Sequence, residues 1–281
     1  MNQKLVDLHV HSTASDGTLT PSEVVALAKQ SNLSAIALTD HDTIDGINEA
    51  IEASHKYDLE LIPGIEFSTF YGKREIHMVG LFIDPNNYEL NNKLNELVAT
   101  RNMRNEQMAL NLRNNGIDVT LDALNDMFPN AIITRAHFAR YMYEKGYIKD
   151  IRVAFDKYIG DGRPCYVQRE KISAKEVIDL IKGAGGLPIL AHPLLYGFKG
   201  TELNECVASL KKAGLVGIEA LYSKNKGLDE SKVRQIARDN SLLISGGSDF
   251  HGANKPNLNI GNGYGNIAIP YEVLENLKSA L

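Results

Sequence analysis

Apolar residues along this chain follow two alternating rhythms, short uninterrupted runs and longer stretches with helical spacing. Residues 4–10 (KLVDLHV) make the first run and predict a strand. Ser22–Gln30, after Pro21, carries the stripe of an amphipathic helix with proline in its first turn. A strand follows at 34–39 (SAIALT), a helix near 43–57, and strands at 59–65 (LELIPGI) and 75–83 (EIHMVGLFI). The later half repeats the theme. Helix 173–184 precedes strand 187–191, helix 201–213 precedes strand 215–220, and helix 226–240 precedes strand 242–245. Helices alternating with buried strands imply parallel pairing, and so many units favour an α/β barrel over an open sheet. The competitor is a doubly wound sheet, but no glycine-rich nucleotide fingerprint follows the first strand.

One stretch breaks the rhythm. From about Tyr88 to Tyr158 the pattern is helical, at 89–115, 120–127, 134–145 and 150–158, with no convincing strand. The chain therefore divides into a discontinuous barrel, 1–100 and 160–281, and a helical insertion at 101–159, expected to sit over the barrel mouth. Charge separates the two. Residues 101–171 hold 12 Lys and Arg against 9 Asp and Glu, whereas the remainder holds 18 against 26. A basic cap on an acidic barrel fits an anion gate, although charged helix faces are also commonly just solvated.

The whole chain has 281 residues and a net charge of −5, so no global positive field advertises bulk nucleic acid. Cys165 and Cys206 are the only cysteines, which suits a reducing cytoplasm. The opening residues run straight into a strand pattern without a signal-peptide core, and no apolar run approaches the ~20 residues of a membrane helix. The expectation is a cytoplasmic globular protein with no membrane partner and no obligate protein partner.

Six of the eight histidines fall at predicted strand ends or just beyond them: His9, His11, His41, His77, His192 and His251. In parallel barrels the carboxyl ends of the strands converge, so residues far apart in sequence meet there. His9 and His11 share one side of a strand by its two-residue period. Carboxylates accompany them: Asp16 in STASDGT, Asp40 and Asp42 around His41, Glu66 after PGI, and Asp249 in GGSDFHG. A lone histidine is more often a hydrogen-bonded structural residue. So many beside carboxylates, all at strand ends, point to divalent metal ions. His55, late in a predicted helix (IEASHKY), looks like an ordinary surface residue.

The motifs DLHVHSTASDGTLTP, TDHDT, PGIEFS, AHP and GSDFHG resemble, in order, those of the polymerase and histidinol phosphatase (PHP) superfamily. The resemblance covers nearly the whole chain, the helical insertion being its less determined part. It implies a distorted (β/α)7 TIM-like barrel with a trinuclear centre of manganese first, or of iron or zinc. By that resemblance His9, His11, Glu66 and Asp249 hold the first metal. Glu66 bridges to a second, with His77 and His192, and Asp16, His41 and His251 hold the third. Asp40 and Asp42 would orient ligands from behind. Three divalent ions against three carboxylates leave the site net positive, as a phosphate dianion requires. Such ions can bring the pKa of water toward ~7 for in-line attack, so no side-chain nucleophile is needed. Asp249, His192 and Glu66 are the candidate catalytic groups, with Asp249 or a neighbour moving the proton.

The insertion resembles that of small bacterial members acting on nucleotides, which implies hydrolysis of a phosphate monoester, a nucleoside 3′,5′-bisphosphate before others. The alternatives are 5′–3′ trimming of short RNA, a histidinol-phosphate-type phosphatase, and a noncatalytic metal-binding module, which the intact ligand pattern disfavours. In ITRAHFARYM, Arg135 offers a bidentate fork for phosphate oxygens and His137 a second donor, with Arg163 in GDGRPCYV a further candidate. A helix start with incidental polar residues would give the same string. Tyr196 or Phe250 could stack on a base, or simply pack.

Overall fold

The computed structural model describes residues 4–129, 131–168 and 172–281. The first apolar run becomes β1, Leu5–Val10, buried at every residue after Leu5. Then come α1 (Pro21–Gln30), β2 (Leu33–Leu38), α2 (Ile47–Tyr57), β3 (Glu60–Tyr71) and β4 (Arg74–Leu81). The helical stretch holds α3 (Tyr88–Asn114), α4 (Leu121–Met127), α5 (Arg135–Glu144) and α6 (Ile151–Ala154), continued by a π-turn at Phe155–Ile159. The chain closes with α7 (Ala174–Gly183), β5 (Leu187–Leu190), α8 (Glu202–Ala213), β6 (Gly217–Tyr222), α9 (Asp229–Asp239), β7 (Leu243–Gly247), β8 (Ile269–Pro270) and α10 (Tyr271–Lys278). Local signals set several starts: Thr20 with Glu23 and Ser173 with Glu176 form capping boxes on α1 and α7.

The strands lie in the order β7-β6-β5-β4-β3-β2-β1-β8. Closure comes from the segment after β7: His11 N donates to Phe250 O at 3.0 Å, and Asp249 N to His9 O at 2.9 Å. The fold is thus the expected α/β barrel, nearly closed, with one correction. Pairing is not parallel throughout: β3 with β4, β4 with β5, and β1 with β8 are antiparallel. For β4 the cause is a tight turn at Gly72, whose φ of 61° suits glycine, after which β4 folds straight back along β3. β3 consequently runs to Tyr71 rather than ending at 65. His77 sits inside β4 opposite Ser68, not at a strand's end. Because β4 runs backwards, its first half lies at the same barrel end as the carboxyl termini of the parallel strands.

Two compact units emerge, Met1–Asn91 with Lys171–Leu281, and Asn92–Glu170. The second is wider than the 101–159 read from the sequence, because α3 continues unbroken from Tyr88 across that boundary. The barrel core is built from Val6, Leu8, Ile62, Leu81 and Ile189, with Ile269, Leu274 and Leu277. Each fully buried aliphatic contributes about 1.5–3 kcal/mol. The second unit has a core of its own around Met108, Leu112, Phe138, Met142 and Ile159. Both cysteines are buried free thiols. Among the described residues no helix is long and apolar enough to cross a membrane.

Candidate metal centre

Glu66, on β3 and fully buried, is the hub of the site. Its Oε2 lies 3.2 Å from His9 Nε2, 3.3 Å from His11 Nε2 and 3.0 Å from His41 Nδ1. Its Oε1 lies 2.9 Å from both His77 Nδ1 and His192 Nε2. Asp249 Oδ1 approaches His11 Nε2 at 3.4 Å and His9 Nε2 at 3.8 Å. Asp16 Oδ1 is 3.3 Å from His251 Nε2 and 3.9 Å from His41 Nε2. All nine ligands expected from the sequence therefore gather in one place. Three donor sets have the spacing to hold an ion: His9, His11, Glu66 and Asp249; His11, Asp16, His41 and His251; and His41, Glu66 and His77. The sharing differs from the expected partition: His11 also belongs with Asp16, His41 rather than His192 completes the set of Glu66 and His77, and His192 approaches Glu66 Oε1 without joining any of the three sets.

Cations fit these residues on a physical test. His9 Nε2, His11 Nε2, His41 Nδ1, His192 Nδ1 and Glu66 Oε2 are buried and lack a hydrogen bond. Leaving one such atom unsatisfied costs about 1–3 kcal/mol, and here four of the five, His9 Nε2, His11 Nε2, His41 Nδ1 and Glu66 Oε2, meet at one point.

Charge within the cluster is already divided. Burial opposes ionisation of Glu66, but the imidazoles of His9, His41 and His77 outweigh it and hold the carboxyl well below its usual range. Burial likewise opposes Asp249 and Asp16. Lys255 and His251 win at the first, His41 and His251 at the second, so both stay ionised. For His11, burial is overcome by the carboxylates of Asp249 and Glu66 lying close to its Nε2, which push it up to about 9. For His41 burial prevails and holds it down at about 3.

The groups behind the ligands are mostly ones the sequence reading missed. Glu219, on β6 and 3% exposed, accepts from His9 Nδ1 at 3.0 Å and from the His192 amide at 2.7 Å. His251 Nδ1 contacts the Asp249 carbonyl at 2.9 Å, which turns Nε2 toward Asp16. Asp249 Oδ2 accepts from Tyr222 OH at 2.8 Å and Lys255 Nζ at 2.5 Å. Asp7 accepts from the Ser248 amide and hydroxyl and the Gly261 amide, clasping β1 to the end of β7. Asp40 accepts from Ser12 and Ser15 and braces the loop of Asp16, instead of orienting an imidazole. Asp42 accepts from the Ser68 amide and also acts on His77 through its charge. Gly247 packs so tightly that a β-carbon there would lie 2.1 Å from His9 Cβ. A buried glutamate inside the apolar run GIEALY was the available signal for Glu219.

The residues proposed for substrate lie in the second unit. Arg135 opens α5, and its guanidinium donates to Asp161 at 2.9 Å. His137 is 3% exposed, accepts from the Thr134 amide at 2.9 Å as part of the helix cap, and packs on Phe128. Arg163 is exposed in a turn. Of the two aromatic candidates, Phe250 is buried, and Tyr196 ties β4 to β5 by accepting from His77 N and donating to Ala191 O. His55 is exposed on α2, as its spacing suggested.

The chain is 35% identical over 257 residues to a 3′,5′-nucleoside bisphosphate phosphatase of Chromobacterium violaceum, covering 91% of this chain and 90% of that one. It is 36% identical to a 5′-3′ exoribonuclease of Haemophilus influenzae, covering 88% and 90%. Its fold superposes with a TM-score of 0.88 on a Bifidobacterium adolescentis protein provisionally named a metal-dependent phosphoesterase, at 28% identity and covering 99% and 96%. Residues 7–182 match the model of the PHP domain. With these histidines and carboxylates gathered around Glu66, a family model matched over more than half of its length and relatives of matching length, the chain belongs to the PHP domain family.

Proposed function

We propose that this protein is a metal-dependent phosphoesterase that hydrolyses a phosphate monoester of a small nucleotide, a nucleoside 3′,5′-bisphosphate in particular. The observation that carries the reading is Glu66, a buried carboxylate facing five imidazoles, several of whose ring nitrogens lack any hydrogen bond. His9, His11, Glu66 and Asp249 would hold one divalent ion, Glu66 with His77 and His192 a second, and Asp16, His41 and His251 a third. Manganese is the first choice, with iron or zinc as alternatives. When bound, such ions lower the pKa of water and stabilise charge on phosphoryl oxygens. The chain's own residues then position and balance charge. Glu66 would help to hold two of the ions, and Asp249, beside them, would take or return a proton. Arg135, His137 and Arg163 are assigned to substrate phosphate. The His137 contact would use Nε2, since Nδ1 is taken by Thr134.

The similarity to a bisphosphate phosphatase supports the substrate class, and the similarity to an exoribonuclease supports short 5′-phosphorylated RNA as the second reading. The test is phosphate release with manganese from 3′-phosphoadenosine 5′-phosphate, AMP, histidinol phosphate and short 5′-phosphorylated RNA. Preferential release from the bisphosphate supports the proposal. Stepwise shortening of RNA at higher kcat/KM replaces it with the second reading, and no turnover of any ester overturns both.

A further inference from the structure

Asp249 is divided between two environments. Its Oδ1 faces the cluster, 3.4 Å from both His11 Nε2 and His251 Nδ1. Its Oδ2 faces away and accepts from Tyr222 OH and Lys255 Nζ. Lys255 also reaches the Asp249 carbonyl at 3.3 Å. The backbone at Asp249 is held left-handed, with φ 59°, a conformation an aspartate keeps only when its surroundings enforce it. The Asp249 carboxylate is 6% exposed and the Lys255 side chain 23%, so the pair is shielded from the water that would screen it at an open surface.

We infer that Lys255, with Tyr222, is a positioning residue that confines Asp249 to binding metal through one oxygen, at the expense of metal affinity. A carboxylate with both oxygens available can chelate a cation. Chelation tightens binding and fills a coordination position that the reaction needs open. A cation against Oδ2 blocks that rotation and withdraws negative charge from the ligand. Removing it should tighten metal binding and slow turnover together. A merely structural contact gives the opposite sign, because a loosened aspartate binds metal more weakly. Lys255 lies in a loop between β7 and β8, where no periodicity or motif singles it out.

The inference rests on the proposed phosphoesterase reading for its kinetic half only. Lys255→Met, Lys255→Arg and Tyr222→Phe are compared with the parent. Metal affinity is read by chelator competition, with melting of the metal-free proteins as the check on folding. Turnover is read as kcat and KM separately. Lys255→Met should bind manganese at least ~3-fold more tightly, while kcat falls on the order of tenfold and KM changes little. Tyr222→Phe should shift both in the same directions by less, and Lys255→Arg should recover most of the lost kcat. Weaker metal binding by a folded Lys255→Met protein overturns the inference, as does a raised KM at constant kcat, which would put Lys255 on the substrate. If the parent hydrolyses no ester, the functional reading fails, yet the sign of the affinity change still decides the role of Lys255.

Discussion

The His192 amide donates to Glu219 Oε2 at 2.7 Å, at a residue whose φ is +24°. The other oxygen of Glu219 accepts from His9 Nδ1. One buried carboxylate therefore sets the orientation of one proposed ligand and the strained backbone of another. Glu219→Gln keeps the shape but replaces one acceptor oxygen by a donor. The expected result is a loss of about 10–100-fold in metal affinity, read by chelator titration. Parent-like affinity in Glu219→Gln would show that the ligands hold themselves.

The metal-free fold should weaken as pH rises from about 6.5 to 9. His11 is pushed up to about 9, and His9 and His77 are raised as well. A histidine raised above its unfolded pKa of ~6.5 stabilises the fold fully below that value and loses the contribution as pH climbs through the folded value. Asp16, Glu66 and Asp249 are held low, so they stay ionised across this window and contribute no slope there. The Tm of chelator-treated protein should fall over that range, and adding manganese at neutral pH should release protons into weak buffer. A Tm that is flat or rising with pH would contradict the charge division in the cluster.

Gly247→Ala tests the packing of β7 on β1. Its new methyl would meet His9 Cβ and the backbone nitrogen of His9, neither of which is the flexible end of a side chain. Overpacking should cost at least about 1–3 kcal/mol in urea unfolding of the metal-free protein. A change below about 0.5 kcal/mol would mean that the strand ends yield easily.

A substrate with two phosphates has binding energy available away from the reacting bond, which raises turnover if it aligns the ester. The bisphosphate should therefore show a higher kcat/KM than AMP or p-nitrophenyl phosphate. Arg135→Ala should remove about 1.5–3 kcal/mol of that advantage, the worth of a charge-assisted contact. Equal efficiency on p-nitrophenyl phosphate would discard the two-phosphate model.

The site was legible because its chemistry-bearing residues sit at the ends of strongly apolar runs, where two-residue spacing at His9 and His11 is conspicuous. The helices of the second unit were legible from their apolar spacing. The reversal at Gly72 was not, because β3 and β4 each read as one more buried strand and nothing in the runs states their direction. β8 has two residues, too few for any period. Glu219 carried a signal, a charge in a buried strand, whereas Lys255 gains its meaning only from where its loop folds.

The clasp between Asp7 and Ser248 joins residues 241 positions apart, and His9 meets Asp249 across a comparable span. During synthesis most of the donors emerge early, from His9 through His77, but the segment after β7 that meets His9 and supplies Asp249 and His251 emerges late. Chains grow at ~5–20 residues per second, so a ribosome-bound chain spends many seconds exposing imidazoles and carboxylates without the geometry that selects among cations. The donor set is therefore incomplete until residue 251 has been added, so its geometry forms well after the first six donors have emerged.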